Sequence, residues 1–468
     1  MAEDTPSGDT GTLHERPIRD EGGSIAEAFL DEILAAIRAG DGAAIGKLTE
    51  DLHEADFADL IRALEPDLRP VFIRLLGKDF DFAVLTELDE TERVQILEEL
   101  SAETVAQGVS ELESDDAVYI LEDLEKAEQD EILSKLSAPE QLVLKRGLEY
   151  PEESAGRRMQ TEFIAVPPFW TVGQTIDHMR EADDLPEDFY EIFVVDPAHR
   201  PVGTVALNRI LRSKRPTPIS TILDEDLEVV HATQDQEEVA RLFERYNLVS
   251  APVVDEAERL VGVITVDDII DVIEEEADED IRRLAGVGDE EASDTSLYIA
   301  RTRIPWLLIN SATAFMSAGV IGLFDGTIEQ MVALAVLMPI VASMGGNAGI
   351  QAMTVAVRAL ASGEQARPLG RAILRELIVG LINGVAIAIL VGAAAGLWFS
   401  DPSLGAVIGI ALVGNILTAS LFGALIPVLL TRLRIDPAVA SGVFLTTITD
   451  VVGFFLFLGL AALWFGIW

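Results

Sequence analysis

The amino-acid sequence predicts a multidomain membrane protein with three parts: an all-α superhelical N-terminal domain, an α/β domain of two tandem repeats, and an all-α membrane domain with five transmembrane helices. Three observations support this prediction. Short apolar motifs recur every twelve residues near the N-terminus, two longer repeats follow at an offset of 59 residues, and long apolar runs fill the last third of the chain. We place the domain boundaries at 1–25, 26–150, 151–273, 274–302 and 303–468.

Charge is distributed very unevenly along the chain. From Arg301 onward there are eight Arg, no Lys and seven carboxylates, a net charge of +1. Residues 1–300 therefore hold 26 basic and 73 acidic groups, a net charge of −47. This acidity argues against nucleic-acid binding, which needs Lys and Arg. A solvated surface adapted to high salt would look the same, so charge alone assigns no carboxylate a role.

The first domain is predicted from a repeat. Residues 1–25 are polar and acidic and predict a disordered tail rather than a signal peptide. Pentapeptides that all end in Leu then begin at 48, 60, 72, 84, 96, 108, 120 and 132. Twelve residues hold a helix of two to three turns and a tight connection, and such helices bury their apolar stripes only against neighbours. We expect a helical solenoid with acidic exposed faces, typical of docking modules.

The second domain is predicted from a longer repeat. Segments 191–211 and 250–270 align so that Val194 matches Val253, Asp196 matches Asp255 and Gly203 matches Gly262. Each reads as strand, turn, strand and helix, and a helical pattern precedes each. Two βαββα units therefore form a pair.

The membrane domain is predicted from five apolar runs, which are roughly Ile304–Phe324, Ile328–Thr354, Leu377–Phe399, Leu404–Leu430 and Val439–Ile467. Arginines flank these runs at only one side of the bilayer. The positive-inside rule therefore places residues 1–300 in the cytosol and the C-terminus outside, in the plasma membrane. We expect the second span to break at Pro339 and again within 344–349, which is rich in glycine.

Asp450 is the only ionisable residue within residues 441–463. A carboxylate at the centre of a bilayer costs about 2.5–3.5 kcal/mol on insertion scales, so it is paired or functional. Carboxylates facing each other in a pore can hold the waters of hydrated Mg²⁺. The alternative is an Asp that pairs with a buried amide or hydroxyl for packing. Thr446, Thr447 and Thr449 either line the same face or donate to backbone carbonyls.

Amide side chains lie in two other spans. Asn347 and Gln351 present amide oxygens beside Gly345, Gly346 and Gly349, which indicates either pore lining or close helix packing. Asn415, like Asn310 and Asn383, is expected to form hydrogen bonds between helices.

The linker after the repeats carries a run of carboxylates. Asp268, Asp271 and Glu275 share one helical stripe, and Glu276, Glu279 and Asp280 follow. Like charges at this spacing repel, and a divalent cation that bridged them to acidic partners would reverse that sign. The candidate partners are Asp115, Asp116, Asp235, Glu237 and Asp436. For each single carboxylate, simple solvation is the alternative.

The domain order and three motifs resemble one family. The tandem repeat resembles a pair of cystathionine-β-synthase (CBS) domains. With "PIVASMGGNAGIQ" (339–351), "TVDDIIDVIEEEADEDIRRL" (265–284) and "DPAVASGVFLTTITDVVG" (436–453), residues 26–468 resemble the MgtE magnesium channels.

The resemblance implies a homodimer in the lipid bilayer, with a pore on its two-fold axis. It places the pore carboxylate at Asp450 and implies that acidic pairs sense cytosolic Mg²⁺ and close the channel. Gly442 and Asn247 stand where relatives carry polar and acidic residues, so the resemblance assigns no secondary pore ligand at Gly442 and no acidic sensor residue at Asn247.

CBS pairs often bind adenine nucleotides through a G-x-x-[ST]-x-x-D pattern. Gly262, Thr265 and Asp268 fit it, whereas the first repeat has Ala206 and Arg209 in place of the hydroxyl and the acid. ATP binding and a purely structural pair both remain open.

Three other functions compete with a channel. An ion-coupled secondary transporter of divalent cations is the nearest, although the five spans show no inverted repeat. An enzyme is disfavoured, because only Asp450 lies deep in a span and all five His occur at or before His231. A membrane-tethered scaffold would leave Asp450 unexplained.

Overall fold

The computed structural model describes residues 18–466 apart from 21, 183–184, 187–188, 286, 288–294, 362–368 and 434–436. Most of the predicted tail, residues 1–25, lies outside the described residues. The chain falls into two compact units, Met1–Ile270 and Asp271–Trp468.

The N-terminal domain is a succession of short helices: α1 Glu27–Ala39, α2 Gly42–Thr49, α3 Glu54–Ala63, α4 Arg69–Leu76, α5 Glu90–Glu98, α6 Ala102–Val109, α7 Ser114–Glu122, α8 Lys126–Leu133 and α9 Ala138–Glu149. The last five begin twelve residues apart. Their apolar faces merge into one core that includes Ile33, Leu60, Phe72, Ile96 and Leu121. The predicted all-α superhelical domain is confirmed.

Helix caps explain the twelve-residue spacing. Asp89 accepts the backbone N–H of Glu92 at 2.8 Å, and Ser101 accepts that of Thr104 at 3.2 Å. Ser137 forms a capping box at the start of α9. A side chain that satisfies the free amides of a first turn fixes where a helix begins. The unit at residue 84 differs, because the chain forms a 3₁₀ turn at Phe82–Leu85 there.

The second domain consists of two matching repeats. The first contains β1 Ala165–Val166, α10 Val172–Glu181, β2 Glu191–Val195, β3 Pro201–Ala206 and α11 Leu207–Leu211. The second contains β4 Val230–His231, α12 Gln236–Tyr246, β5 Ser250–Val254, β6 Leu260–Thr265 and α13 Val266–Ala285. In each sheet the middle strand is parallel to the first and antiparallel to the third. The antiparallel pairs also share an irregularity. The pairing register shifts between residues 194 and 195 in β2–β3 and between residues 253 and 254 in β5–β6.

The membrane domain contains α14 Ser296–Gly322, α15 Asp325–Gln330, α16 Ala333–Ala361, α17 Leu369–Trp398, α18 Pro402–Arg432 and α19 Pro437–Phe465. All but the short α15 are long and apolar enough to cross a membrane, which confirms the five predicted spans. α18 lies at the centre, because 61% of its most apolar stretch is buried and it packs against α16, α17 and α19.

The expected breaks in the second span are wrong. α16 is one continuous helix through Pro339 and through residues 344–349. Pro339 removes only one backbone hydrogen bond, near the start of the helix, and the neighbouring helices support the rest. The glycines instead allow close packing: a Cβ added to Gly349 would lie 3.0 Å from the Leu445 side chain.

Candidate cation sites

Carboxylates of the helical domain and of the second CBS-like repeat meet within the first unit. Asp115 and Asp116 lie in the first turn of α7, and Asp268 lies in the first turn of α13. Burial raises the pKa of Asp115 well above its usual range, and the charges of Asp268 and Asp116 raise it further. Burial and the charge of Asp268 likewise raise the pKa of Asp116 to about 7. The structure therefore brings three predicted residues together.

A hydrogen-bonded contact between the two domains holds α7 in this position. Glu162 accepts the Ser114 hydroxyl at 2.7 Å and the Ser114 backbone N–H at 3.2 Å. The Thr161 backbone N–H also donates to the Ser114 hydroxyl, at 2.8 Å. An acidic group at a helix N-terminus is favoured by the helix dipole, so Glu162 stabilises the start of α7 where the cluster forms.

Asp268 is oriented by its own helix. Its Oδ2 accepts the Thr265 hydroxyl at 2.6 Å and the Thr265 backbone N–H at 3.3 Å. These two bonds join Thr265 and Asp268, which are two of the three residues of the G-x-x-[ST]-x-x-D nucleotide-binding pattern. The third, Gly262, is required for packing, because a Cβ there would lie 2.6 Å from Met159 Sδ.

The cluster includes three further acidic residues that the sequence analysis did not predict. The charges of Glu113, Glu54 and Asp267 all contribute to the raised pKa of Asp116. Glu113 and Asp267 lie within two residues of predicted ones in the sequence, and that proximity could have identified them. Glu54 begins α3, some 60 residues earlier, and no local pattern points to it.

The cluster is not a preformed metal site. Within the described ranges, no three His, Cys, Asp or Glu side chains are arranged to hold a metal ion. Mg²⁺ keeps several of its waters in proteins and is often held by one or two carboxylates. What the structure supplies is a group of closely spaced carboxyl groups, and the raised pKa values of Asp115 and Asp116 show that ionising them together is costly.

The other predicted sensor residues lie elsewhere. Asp235 caps α12 by accepting the Glu237 backbone N–H at 3.0 Å, and Glu237 forms an ion pair with Arg241. On α13, Asp271 is exposed, Glu276 and Asp280 are half-exposed, and Glu279 pairs with Arg283. Asp436 lies outside the described residues. Metal binding by these residues stays a prediction.

Asp450 is half-buried in the middle of α19. Across the described part of the chain, no side chain forms a hydrogen bond or an ion pair with it. The packing alternative required an amide or hydroxyl partner. The nearby threonines are committed elsewhere, because Thr446 and Thr447 donate to backbone carbonyls of Gly442 and Val443, and Thr449 to that of Thr446.

Asn347 and Asp450 lie at similar depths in the membrane domain. α16 and α19 pack so that Gly349 faces Leu445, while Gly345 and Gly453 both face Asn415. These pairings place Asn347 level with the segment around Asp450, because each residue of a helix rises 1.5 Å. Asn347 is exposed, and its Nδ2 lies 3.5 Å from the Ser343 hydroxyl.

Comparison with known proteins decides the family. The family model of the divalent cation transporter MgtE matches residues 338–460, the MgtE intracellular N domain matches 52–153, and the CBS domain matches 155–215 and 219–275. The magnesium transporter MgtE of Enterococcus faecalis is 37% identical over 321 residues, covering 68% of this chain and 71% of the relative. The chain belongs to the MgtE family.

Other MgtE proteins are similarly related. The Thermus thermophilus magnesium transporter MgtE is 37% identical over 321 residues, 67% of this chain and 70% of the relative. The Bacillus subtilis protein of that name is 33% identical over 316 residues, with the same shares.

Two solved structures match about half of the chain. The soluble part of a magnesium transporter is 29% identical, with a TM-score of 0.48, and covers 54% of this chain and 99% of that one. The cytosolic domain of the Mg²⁺ channel MgtE in complex with ATP is 31% identical, with a TM-score of 0.49, and covers 52% of this chain and 99% of that one.

MgtE membership confirms the predicted family and fold class. The tandem α/β repeats are a CBS pair, and the acidic solenoid is the intracellular N domain. The chain is therefore a multi-pass membrane protein of a divalent cation transporter family, with a cytosolic N-terminal region and five apolar helices.

Proposed function

We propose that this MgtE protein is a Mg²⁺-selective channel that imports magnesium and is closed by cytosolic Mg²⁺. It works as a homodimer, with the C-terminus outside and the domain boundaries given above. The observation that carries the proposal is the meeting of Asp115, Asp116 and Asp268 between the N domain and the CBS pair.

The acidic cluster supplies the gating energy. Without a cation, the ionised carboxylates repel each other, and burial adds to the cost of ionising them, so the pKa of Asp116 is raised. Bound Mg²⁺ converts this repulsion into attraction and favours the state in which the two domains are joined. The cluster then acts as an electrostatic switch between two states, one with the N domain and the CBS pair joined and one with them apart.

Helix α13 is the element that transmits the change. Asp268 stands in its first turn, and the helix continues without a break to Ala285, 20 residues in all. At 1.5 Å per residue, it spans roughly 30 Å. In this proposal the other predicted sensor carboxylates lie farther along the same helix, among them Glu276, Glu279 and Asp280.

Asp450 supplies the pore ligand in this proposal. A single carboxylate cannot surround a cation. In a homodimer, however, the two Asp450 side chains face each other across the symmetry axis and provide two carboxylates at one depth. With Asn347 at a similar depth, they offer acceptors to the waters of hydrated Mg²⁺. The absence of a described partner for Asp450 supports this use.

ATP binding at the CBS pair is a separate proposal. It rests on Gly262, Thr265 and Asp268, and the Thr265–Asp268 hydrogen bond competes with a nucleotide for the same groups. Asp268→Asn, which preserves an acceptor for Thr265, leaves ATP affinity unchanged if that carboxylate makes no contact with the nucleotide. Isothermal titration with ATP measures the change.

The gating proposal is tested by limited proteolysis of the full chain in detergent. Cutting between Leu148 and Arg301 slows as Mg²⁺ rises through the millimolar range. Asp116→Asn with Asp268→Asn removes two charges of the cluster and abolishes most of that protection, whereas the exposed Glu99→Gln leaves it unchanged. A digestion pattern independent of Mg²⁺ in the unaltered protein contradicts metal-driven closure.

A further inference from the structure

Asn415 occupies the junction of α16, α18 and α19. Its side chain is fully buried, and Nδ2 donates to the backbone carbonyl of Val341 on α16 at 2.9 Å. A Cβ added to Gly345 would lie 2.3 Å from that nitrogen, and one added to Gly453 would lie 2.6 Å from it. The amide therefore fits only because both neighbouring helices present a glycine to it.

Helix stability alone does not account for an amide at this position. The Asn415 Oδ1 is buried and accepts no hydrogen bond from the described residues. An unsatisfied buried acceptor is destabilising, and a leucine of nearly the same shape would fill the space without one. The amide adds one directional bond between helices, which selects a single register of α16 against α18.

That register sets the relative depth of the two polar residues of the proposed pore. Asn347 follows Gly345 by two residues on α16, and Asp450 precedes Gly453 by three on the antiparallel α19. Asn415 therefore stands within one helical turn of the level of both residues, about 3 Å from Asn347 and about 4.5 Å from Asp450 along the helix axes. A shift of α16 or α19 by one residue would separate them by a further 1.5 Å or so.

We propose that Asn415 is a positioning residue for ion conduction, which holds the helix bearing Asn347 and the helix bearing Asp450 at one depth. This inference rests on the proposed function, because it assumes that Asp450 contacts the passing ion. In this role Asn415 contacts no ion itself. It acts through its hydrogen bond to Val341 and through its contacts with Gly345 and Gly453.

The test compares Asn415→Leu with a matched control on the same helix, Thr418→Val. Among the described residues, the Thr418 hydroxyl donates to the Gly414 carbonyl of its own helix, at 2.9 Å, and to no other group. Mg²⁺ flux is measured per folded protein in proteoliposomes, together with the melting temperature and the flux ratio of Mg²⁺ to Co²⁺. Asn415→Leu is expected to keep the melting temperature, lose about tenfold in Mg²⁺ flux and change the ion ratio, while Thr418→Val conducts normally.

A cross-link tests the register without any transport. The chain has no cysteine, so Gly349→Cys with Leu445→Cys introduces one pair across the α16–α19 contact. Oxidation is expected to link the pair readily when Asn415 is present and several-fold more slowly in the Asn415→Leu background. If Asn415→Leu does not fold, Asn415→Ala is used in both measurements with the same expectations.

The outcomes separate this inference from the proposed function. Normal flux, ion ratio and cross-linking in the Asn415 variant overturn the positioning role, even if Asp450 proves essential. A lower melting temperature with normal flux also overturns it, because Asn415 is then only structural. If the unaltered protein does not conduct Mg²⁺ but the cross-link still depends on Asn415, the proposed function fails and the register claim stands.

Discussion

Helix α7 is predicted to lose stability as the pH rises from 6 to 8 in the absence of divalent cations. It carries two carboxylates, Asp116 and Glu122, whose pKa values are both raised to about 7, in each case mainly by burial. A folded state that keeps a proton which the unfolded state has lost is favoured at low pH. That advantage disappears as the pH passes the folded-state pKa.

The magnitude follows from these pKa values. Between pH 6 and pH 8, a group that titrates near 7 when folded and near 4 when unfolded contributes about 1.4 kcal/mol of lost stability. The two groups together give about 3 kcal/mol. In the proposed function Mg²⁺ binds beside Asp116, so it should restore about half of the loss and leave the Glu122 half in place.

The assay is hydrogen exchange of the α7 backbone amides in the full chain, corrected for the intrinsic pH dependence of exchange. Asp116→Asn and Glu122→Gln should each remove about half of the pH effect, and the exposed Glu99→Gln should remove none. Protection that is equal at pH 6 and pH 8 would refute the reasoning. So would an undiminished effect in the double variant.

Three further perturbations test single contacts. Arg93→Met leaves the partly buried Asp123 without the guanidinium that it contacts at 2.5 Å, and should lower the free energy of unfolding by about 1.5–3 kcal/mol in a urea titration. Glu162→Ala removes the acceptor at the start of α7, and should speed exchange of its first-turn amides by about fivefold, equivalent to about 1 kcal/mol. Gly405→Ala would place a Cβ 2.4 Å from the Gly392 carbonyl oxygen and should cost about 1–3 kcal/mol in thermal unfolding. Gly319→Ala, whose Cβ would lie more than 4 Å from every described neighbour, should cost little.

Local signals account for what the sequence could predict of the fold. The helix starts of the N domain follow a twelve-residue period because capping residues such as Asp89, Ser101 and Ser137 recur with it. The two CBS repeats share strand order and register shift because their sequences align throughout. Where the expectation depended on local propensity alone, at Pro339, the neighbouring helices decided the outcome and α16 stayed intact.

The candidate sites were predictable only in part, because their contacts join distant segments. The run of carboxylates in 265–284 pointed to an acidic partner, and Asp115 and Asp116 do meet Asp268. The approach of Glu54 could not be foreseen, since Glu54 and Asp116 are some 60 residues apart in sequence and only the tertiary fold brings their charges together. For Asn415 the sequence predicted a hydrogen bond between helices, which the contact with Val341 confirms. Its contacts with Gly345 and Gly453 could not be predicted, because they depend on how α16, α18 and α19 pack together.

Mg²⁺ flux into proteoliposomes, with the unaltered protein beside Asp450→Ala and with Mg²⁺ varied on the cytosolic face, tests the central claim most directly. The proposal predicts that the unaltered protein conducts, that cytosolic Mg²⁺ suppresses the flux, and that folded Asp450→Ala is silent. Flux that requires an opposing ion gradient would favour coupled transport instead. Normal conduction by Asp450→Ala would contradict the assignment of the pore.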